Sequence, residues 1–317
     1  EIYPAFVAGL HRKNRFDRLR ATVGLLLAAL SFRPRLLYVN QAGATKIAVL
    51  VGRMLHLPVI AHVRLAEDAS YLQSLGAGTD ELPLVLCISH YIGSLFNDQN
   101  LEYHSRLVVM YDPYRPQKSW SGTHQCETTN PEPVFSCVGR LTRTKGQDIL
   151  LDAMHHLKGE GIEAQGLFFG AAEPGDSFGA DLVELSVDLG IAGQVHWQGF
   201  HEYIPSLMPP SVALVCPSHE EALGRVIFEA WDAGTIPVAW AGSGGPAEVI
   251  QASAAGLLYD KQTGASLARA LKRALALTPL VKQQMVERGR QWLERNCEPD
   301  AYSQKMLTLW QDVVNQS

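Results

Sequence analysis

The chain has 317 residues, of which 47% are hydrophobic and 19% charged, enough apolar material for two ordinary cores. A formal net charge of −5 and an isoelectric point near 6.1 exclude a dedicated nucleic-acid binder, whose footprint is strongly basic. Five scattered cysteines, Cys87, Cys126, Cys137, Cys216 and Cys297, never stand in a metal-ligand or CxxC spacing, so they read as free thiols of a cytoplasmic protein.

Residues 1–40 are locally cationic: Arg12, Lys13, Arg15, Arg18, Arg20, Arg33 and Arg35 stand against Glu1 and Asp17. The apolar run 24–30 within them is far shorter than the roughly 20 residues that span a bilayer. Leu19, Val23, Leu26, Leu27 and Leu30 share a helical face, which suits either a helix resting on anionic lipid or a packed helix with a solvated basic end. No cleavable signal is visible, and the true N-terminus is expected upstream of Glu1.

Short apolar runs at 36–39, 58–63, 84–88 and 106–110 predict buried strands separated by helical patterns, hence a parallel α/β domain. Residues 112–133 are polar and punctuated by proline, as an interdomain linker would be. Alternation then resumes with strands at 134–138, 164–170, 194–197, 213–216 and 236–240, and helices at 147–156, 180–189 and about 224–233. From Ala265 onward the pattern is helical. Two doubly wound parallel-sheet domains follow, and in such sheets ligands sit at the carboxyl ends of strands, so the loops there carry the search for function.

The loop after the strand 134–138 reads GRLTRTKG over 139–146 and opens a helix, placing Arg140 and Lys145 where a pyrophosphate would be held. Further on, PSHEEALGRVIFEA over 217–230 puts Glu221 before a helix and Glu229 two turns inside it, about 12 Å apart along a helix axis. That span matches a donor sugar and the ribose of its nucleotide, and each carboxylate accepts hydroxyl hydrogen bonds. Gly224 would let amides at the helix start approach a phosphate. A third loop, AGSGGPAE over 241–248, nearly spells a dinucleotide fingerprint with Gly242, Gly244 and Ala247, but it lies late in the chain and its Gly-Gly-Pro reads as a phosphate turn.

In the first domain, His62 at a strand end is the best single acceptor-side candidate; it is equally readable as a structural residue, with Arg64 as the acceptor contact. Ser89 before His90 reads as a helix N-cap.

Residues 138–146, 217–230, 234–238 and 242–248 together resemble glycosyltransferase family 4, the retaining GT-B glycosyltransferases also described as glycosyl transferases group 1. The resemblance covers most of 133–297 and, more loosely, 35–110. It implies two Rossmann-like domains facing each other across a cleft: an acceptor-binding domain at 1–118 with its first strands missing, a linker at 119–132, a donor-binding domain at 133–297, and a C-terminal helix at 298–317 crossing back. It further implies that Gly139, Arg140 and Lys145 hold the donor pyrophosphate, that Glu221 contacts the sugar and Glu229 the ribose, and that Leu223, Gly224, Arg225 and Val226 line the sugar-phosphate turn. Gly170 and the stretch 199–201, including Phe200, fall where this family receives the base.

The implied reaction transfers a hexose-type sugar from a UDP- or GDP-sugar to a glycan or lipid-linked acceptor with retention, without a metal or other cofactor. Catalysis would rest on His62, Arg140, Lys145 and Glu221, and no nucleic acid is expected as a partner. A cytoplasmic protein, peripheral on the inner face of the membrane, would fit the basic opening. The alternatives are a non-catalytic sugar-nucleotide-binding partner and a GT-B epimerase; a phosphorylase would need a pyridoxal-phosphate lysine.

Overall fold

The computed structural model describes residues 15–40, 42–74, 82–96, 106–116, 132–205 and 211–316. Of the stretch read as a linker, 119–131 lies outside the described residues, as do Cys126 and most of the cationic opening before Arg15. The chain divides into two compact units, Glu1–Pro113 with Pro299–Ser317, and Tyr114–Glu298.

The first unit runs α1 (Arg15–Phe32), β1 (Leu37–Val39), α2 (Thr45–Leu55), β2 (Val59–Val63), α3 (Ala66–Ser74), β3 (Leu84–Cys87), α4 (His90–Ser94) and β4 (Arg106–Val109). Its strands pair in parallel in the order β1-β2-β3-β4, with Ile60 opposite Leu84 and Leu84 opposite Arg106. Every position of β2 and β3 is buried, which is why both read as near-continuous apolar runs. Among the described residues this sheet winds in one direction only. Helix α4 starts at Ser89, whose hydroxyl accepts the Ile92 amide at 3.1 Å. By contrast, α1 leaves Phe16, Leu19, Val23, Leu27 and Leu30 exposed along one side.

The second unit runs β5 (Val134–Val138), α5 (Gln147–Gly159), β6 (Gln165–Phe169), α6 (Phe178–Asp188), β7 (Val195–Gly199), β8 (Ala213–Cys216), α7 (Val226–Asp232), β9 (Pro237–Trp240), α8 (Gly245–Ser253), β10 (Leu257–Tyr259), α9 (Gly264–Ala276) and α10 (Pro279–Asn296). The six strands are parallel in the order β10-β9-β8-β5-β6-β7. Phe135, Phe168, Leu150, Leu151, Leu267 and Leu271 fill one core between the sheet and the α5 and α9 helices. The last helix, α11 (Pro299–Gln316), belongs to the first unit, where Met306, Leu309 and Val313 pack with Ile60, Leu84 and Leu86.

At seven residues, α7 is too short to hold itself in water and depends on its packing. Phe228 and Trp231 are fully buried on it, with Trp292 of α10 at ring-centroid distances of 5.9 and 6.2 Å. The Trp231 indole donates to the Ala255 carbonyl at 2.7 Å, and Arg290 Nε caps the end of α7 by donating to the Trp231 carbonyl at 3.0 Å. Gly289 of α10 lies flat beneath the Trp231 ring, where a Cβ would overlap it. Gly289→Ala is therefore expected to cost about 1–3 kcal/mol of stability by overpacking, measured as a lowered urea midpoint with unchanged m-value.

Candidate functional site

Winding in the second sheet reverses between β5 and β8, so the loops that leave those two strands diverge and open a crevice at their carboxyl ends. Those loops are 139–146 and 217–225, the two segments whose residue types suit an anion and a sugar.

Backbone contacts knit the ends of β5, β6 and β7 into one floor. The Gly139 amide donates to the Phe169 carbonyl at 2.9 Å, Leu141 to Ala171 at 3.0 Å, and Gly170 to Gly199 at 2.7 Å. Gly170 stands at φ +142, and a Cβ there would collide with the Gly139 carbonyl, so only glycine fits. Phe200, beyond this floor, is 73% exposed, and the His201 ring lies 6.1 Å from Phe169.

The charges are arranged in pairs. Lys145 Nζ donates to Glu221 Oε1, joining the loop after β5 to the loop after β8, and both side chains are largely buried. Arg140 pairs with Glu173 at 2.6 Å, but there both side chains are mostly exposed. An exposed pair of that kind is worth about 1 kcal/mol or less, whereas hydrogen bonds to a charged phosphate contribute roughly 1.5–3 kcal/mol. A diphosphate would therefore take Arg140 from Glu173 easily. Arg143, the remaining cation of the loop, is committed elsewhere: it bonds Asp181 at 2.7 Å and covers the Phe178 ring at 5.0 Å.

Sequence reasoning passed over the residues that brace these loops. Gln147, buried at the start of α5, donates to the Arg140 carbonyl at 2.8 Å, and the His219 amide donates to the Thr144 carbonyl at 2.9 Å. Gly146, at φ +68, packs so closely under the Pro217 carbonyl that no side chain fits. The contacts of His219 and Gly146 join segments some seventy residues apart, so no local pattern announces them.

Glu221 and Glu229 do not share a helix, which corrects the spacing estimate from helical rise. Glu221 lies in extended chain bridged to Gly244: its amide donates to the Ser243 carbonyl at 2.9 Å and its carbonyl accepts from the Gly245 amide at 2.9 Å. The helix begins only at Val226, so Glu229 sits in its first turn. The loop 241–248 is thereby locked to 221–225, and Gly224 lies against Pro246. Leu223 is buried, while Arg225 is exposed and Val226 half-buried. Glu229 Oε2 is buried without a hydrogen-bond partner, and burial pushes its carboxyl above the usual range.

In the first unit, His62 stands next to the carboxyl end of β2 and is fully buried. Its Nδ1 bonds the Tyr38 hydroxyl at 2.7 Å and its Nε2 has no partner. Burial, and next the Arg64 charge, push it down to about 3, so the ring is neutral at ordinary pH. Arg64, paired with Asp112, is 30% exposed.

Among the described residues, no three His, Cys, Asp or Glu side chains gather as metal ligands.

The family model for glycosyl transferases group 1 matches residues 124–292. A lipopolysaccharide core biosynthesis glycosyltransferase, LpsE of Rhizobium meliloti, is 30% identical over 186 residues, 57% of this chain and 52% of that protein. A glycogen synthase of Yersinia enterocolitica is 29% identical over 161 residues, 48% of this chain and 33% of that protein. The chain thus spans about half or less of these two relatives. Among solved structures, Anabaena HepE in complex with UDP superposes with a TM-score of 0.78 at 19% identity, covering 95% of this chain and 84% of that one. Sucrose-phosphate synthase from Thermosynechococcus elongatus gives 0.77 at 19% identity, covering 96% and 81%. At that identity the likeness is one of fold, and the fold is GT-B.

His62 makes the fold acid-sensitive. An unfolded histidine takes up its proton near pH 6.5, the folded one only near 3. Between these values the unfolded chain binds more protons, so stability falls as pH falls. Replacing His62→Gln should flatten the pH dependence of the unfolding free energy from urea titrations between pH 7 and 5, by up to about 1.4 kcal/mol per pH unit.

Proposed function

Because the chain belongs to the glycosyl transferases group 1 family, we propose that it is a retaining hexosyltransferase. In this reading it moves a hexose-type sugar from a UDP- or GDP-sugar to a glycan or lipid-linked acceptor in the synthesis of a cell-surface polysaccharide or glycoconjugate. The lipopolysaccharide relative supports the product class, and HepE, solved with UDP and with UDP-glucose, supports a nucleotide-sugar donor. The second unit takes the donor, and the acceptor is recognised by residues 1–118.

The observation that carries this reading is the unpaired, buried Oε2 of Glu229 on the helix that follows the loop carrying Glu221, whose carboxylate pairs with Lys145 at the switch point of the sheet. A buried acceptor without a donor is costly, and a ribose diol brings two hydroxyl donors to it. Arg140 leaves Glu173 for the diphosphate, Lys145 adds a second charge, and Glu221 accepts from the sugar hydroxyls. Gly170 and residues 199–201, with exposed Phe200, receive the base. The acceptor oxygen attacks the anomeric carbon on the face from which the diphosphate departs, and its proton passes to a leaving phosphate oxygen, so configuration is retained. Charge building on that diphosphate meets fixed cations, where much of the acceleration arises.

A panel of UDP- and GDP-sugars, followed as free nucleotide released, tests this. One donor should turn over, Lys145→Ala should lower kcat by about 10²–10³-fold, and Glu229→Ala should raise KM. Binding of donors without turnover by wild type would instead make the chain a non-catalytic partner.

The exposed apolar side of α1, flanked by exposed Arg18, Arg20, Arg33 and Arg35, supports docking of a cytoplasmic protein on an anionic membrane. No helix among the described residues is long and apolar enough to cross one. The protein should co-sediment with phosphatidylglycerol vesicles at low salt and Leu19→Glu should weaken this; sedimentation no greater than with phosphatidylcholine vesicles would remove the membrane from the account.

A further inference from the structure

Between β8 and Glu221 lies a hydrogen-bond chain that the donor-site reading does not use. Ser218, almost completely buried, donates its hydroxyl proton to Glu221 Oε1 at 3.0 Å. Cys216, at the end of β8, places its sulfur 3.7 Å from the Ser218 oxygen. A serine hydroxyl has one proton to give and lone pairs to receive. Burial pushes the Cys216 thiol up to about 11, so it keeps its proton and acts as the donor. With the thiol donating into it, the Ser218 oxygen has its own proton left for Glu221.

Lys145 Nζ donates to the same Oε1, so both bonds fall on one carboxylate oxygen and neither occupies Oε2. The two anchors differ in kind. Lys145 is a flexible point charge that an arriving diphosphate draws toward itself; Ser218 is short, buried and fixed to the sheet. Once a donor is bound, Ser218 is the anchor that remains.

We propose that Ser218, steered by Cys216, is the positioning residue that holds Glu221 in register with the donor sugar, an assignment that rests on the sugar-contacting role of Glu221 given above. Calorimetric titration with UDP and UDP-glucose, and with GDP and GDP-mannose, reads the tightening that the sugar adds over the bare nucleotide. Ser218→Ala should leave the affinity for the nucleotide alone unchanged and reduce the sugar-dependent tightening by roughly ten- to hundredfold, the loss of one hydrogen bond to a charged group. In a Glu221→Ala background the same substitution should add nothing, because the two act as one unit.

If Glu221→Ala removes the tightening but Ser218→Ala does not, or if the two effects add, Ser218 has no positioning role and the donor-site reading stands. Loss of nucleotide affinity in Ser218→Ala would mark it as merely structural. Tightening absent from wild type, or untouched by Glu221→Ala, would sink the sugar-contacting role and the positioning role with it.

Discussion

The reversal of strand order between β5 and β8 is the constraint from which the candidate site follows. In a parallel sheet each connection must return over one face, and where successive connections turn to opposite sides the loops at the carboxyl ends part. The gap they leave must be lined by backbone and by side chains able to bridge it. Here the bridge is the ion pair of Lys145 and Glu221, one from each loop, drawn far enough from water to be worth more than a surface contact.

Much of the remaining architecture serves to keep those loops still. Glycine is required where chain must pass chain closely, at Gly146 under the Pro217 carbonyl and at Gly170 over the Gly139 carbonyl. The segment carrying Glu221 runs as a short parallel bridge to Gly244, so the third glycine-rich loop is joined to the second through the backbone. Short helix α7, which carries Glu229, is held from behind by Trp231, Trp292 and Arg290 rather than by its own propensity. Order around the site therefore comes from packing, and the charged groups are left comparatively unencumbered at the surface of that packing.

The first unit uses its polar groups differently. His62 and Tyr38 bond to one another inside the sheet, with Trp310 of α11 5.2 Å from the Tyr38 ring. The imidazole is buried there, whereas of the pair Arg64 and Asp112 the arginine is partly exposed. Each unit thus keeps a buried polar atom without a partner, His62 Nε2 in the first and Glu229 Oε2 in the second.

Several features were legible in the sequence because they depend on local composition. Apolar runs such as VIAHV and LVLC can only be strands covered on both faces, and the cationic loop 139–146 and the carboxylates at 221 and 229 stand out by residue type alone. The N-cap at Ser89 was equally readable, since the cap satisfies amides three residues on. Strand order, however, is not a local property: nothing in the chain states that β8 rather than β6 alone flanks β5, and it is this neighbour that brings Lys145 to Glu221. The burial of His62, the bridge from Glu221 to Gly244, and the packing of Gly146 under Pro217 likewise depend on contacts across tens of residues. Sequence by itself determined the element types and the chemical inventory, because propensity and periodicity act within a few residues; only the tertiary structure decided which members of that inventory meet, because burial and pairing are set by neighbours distant in the chain.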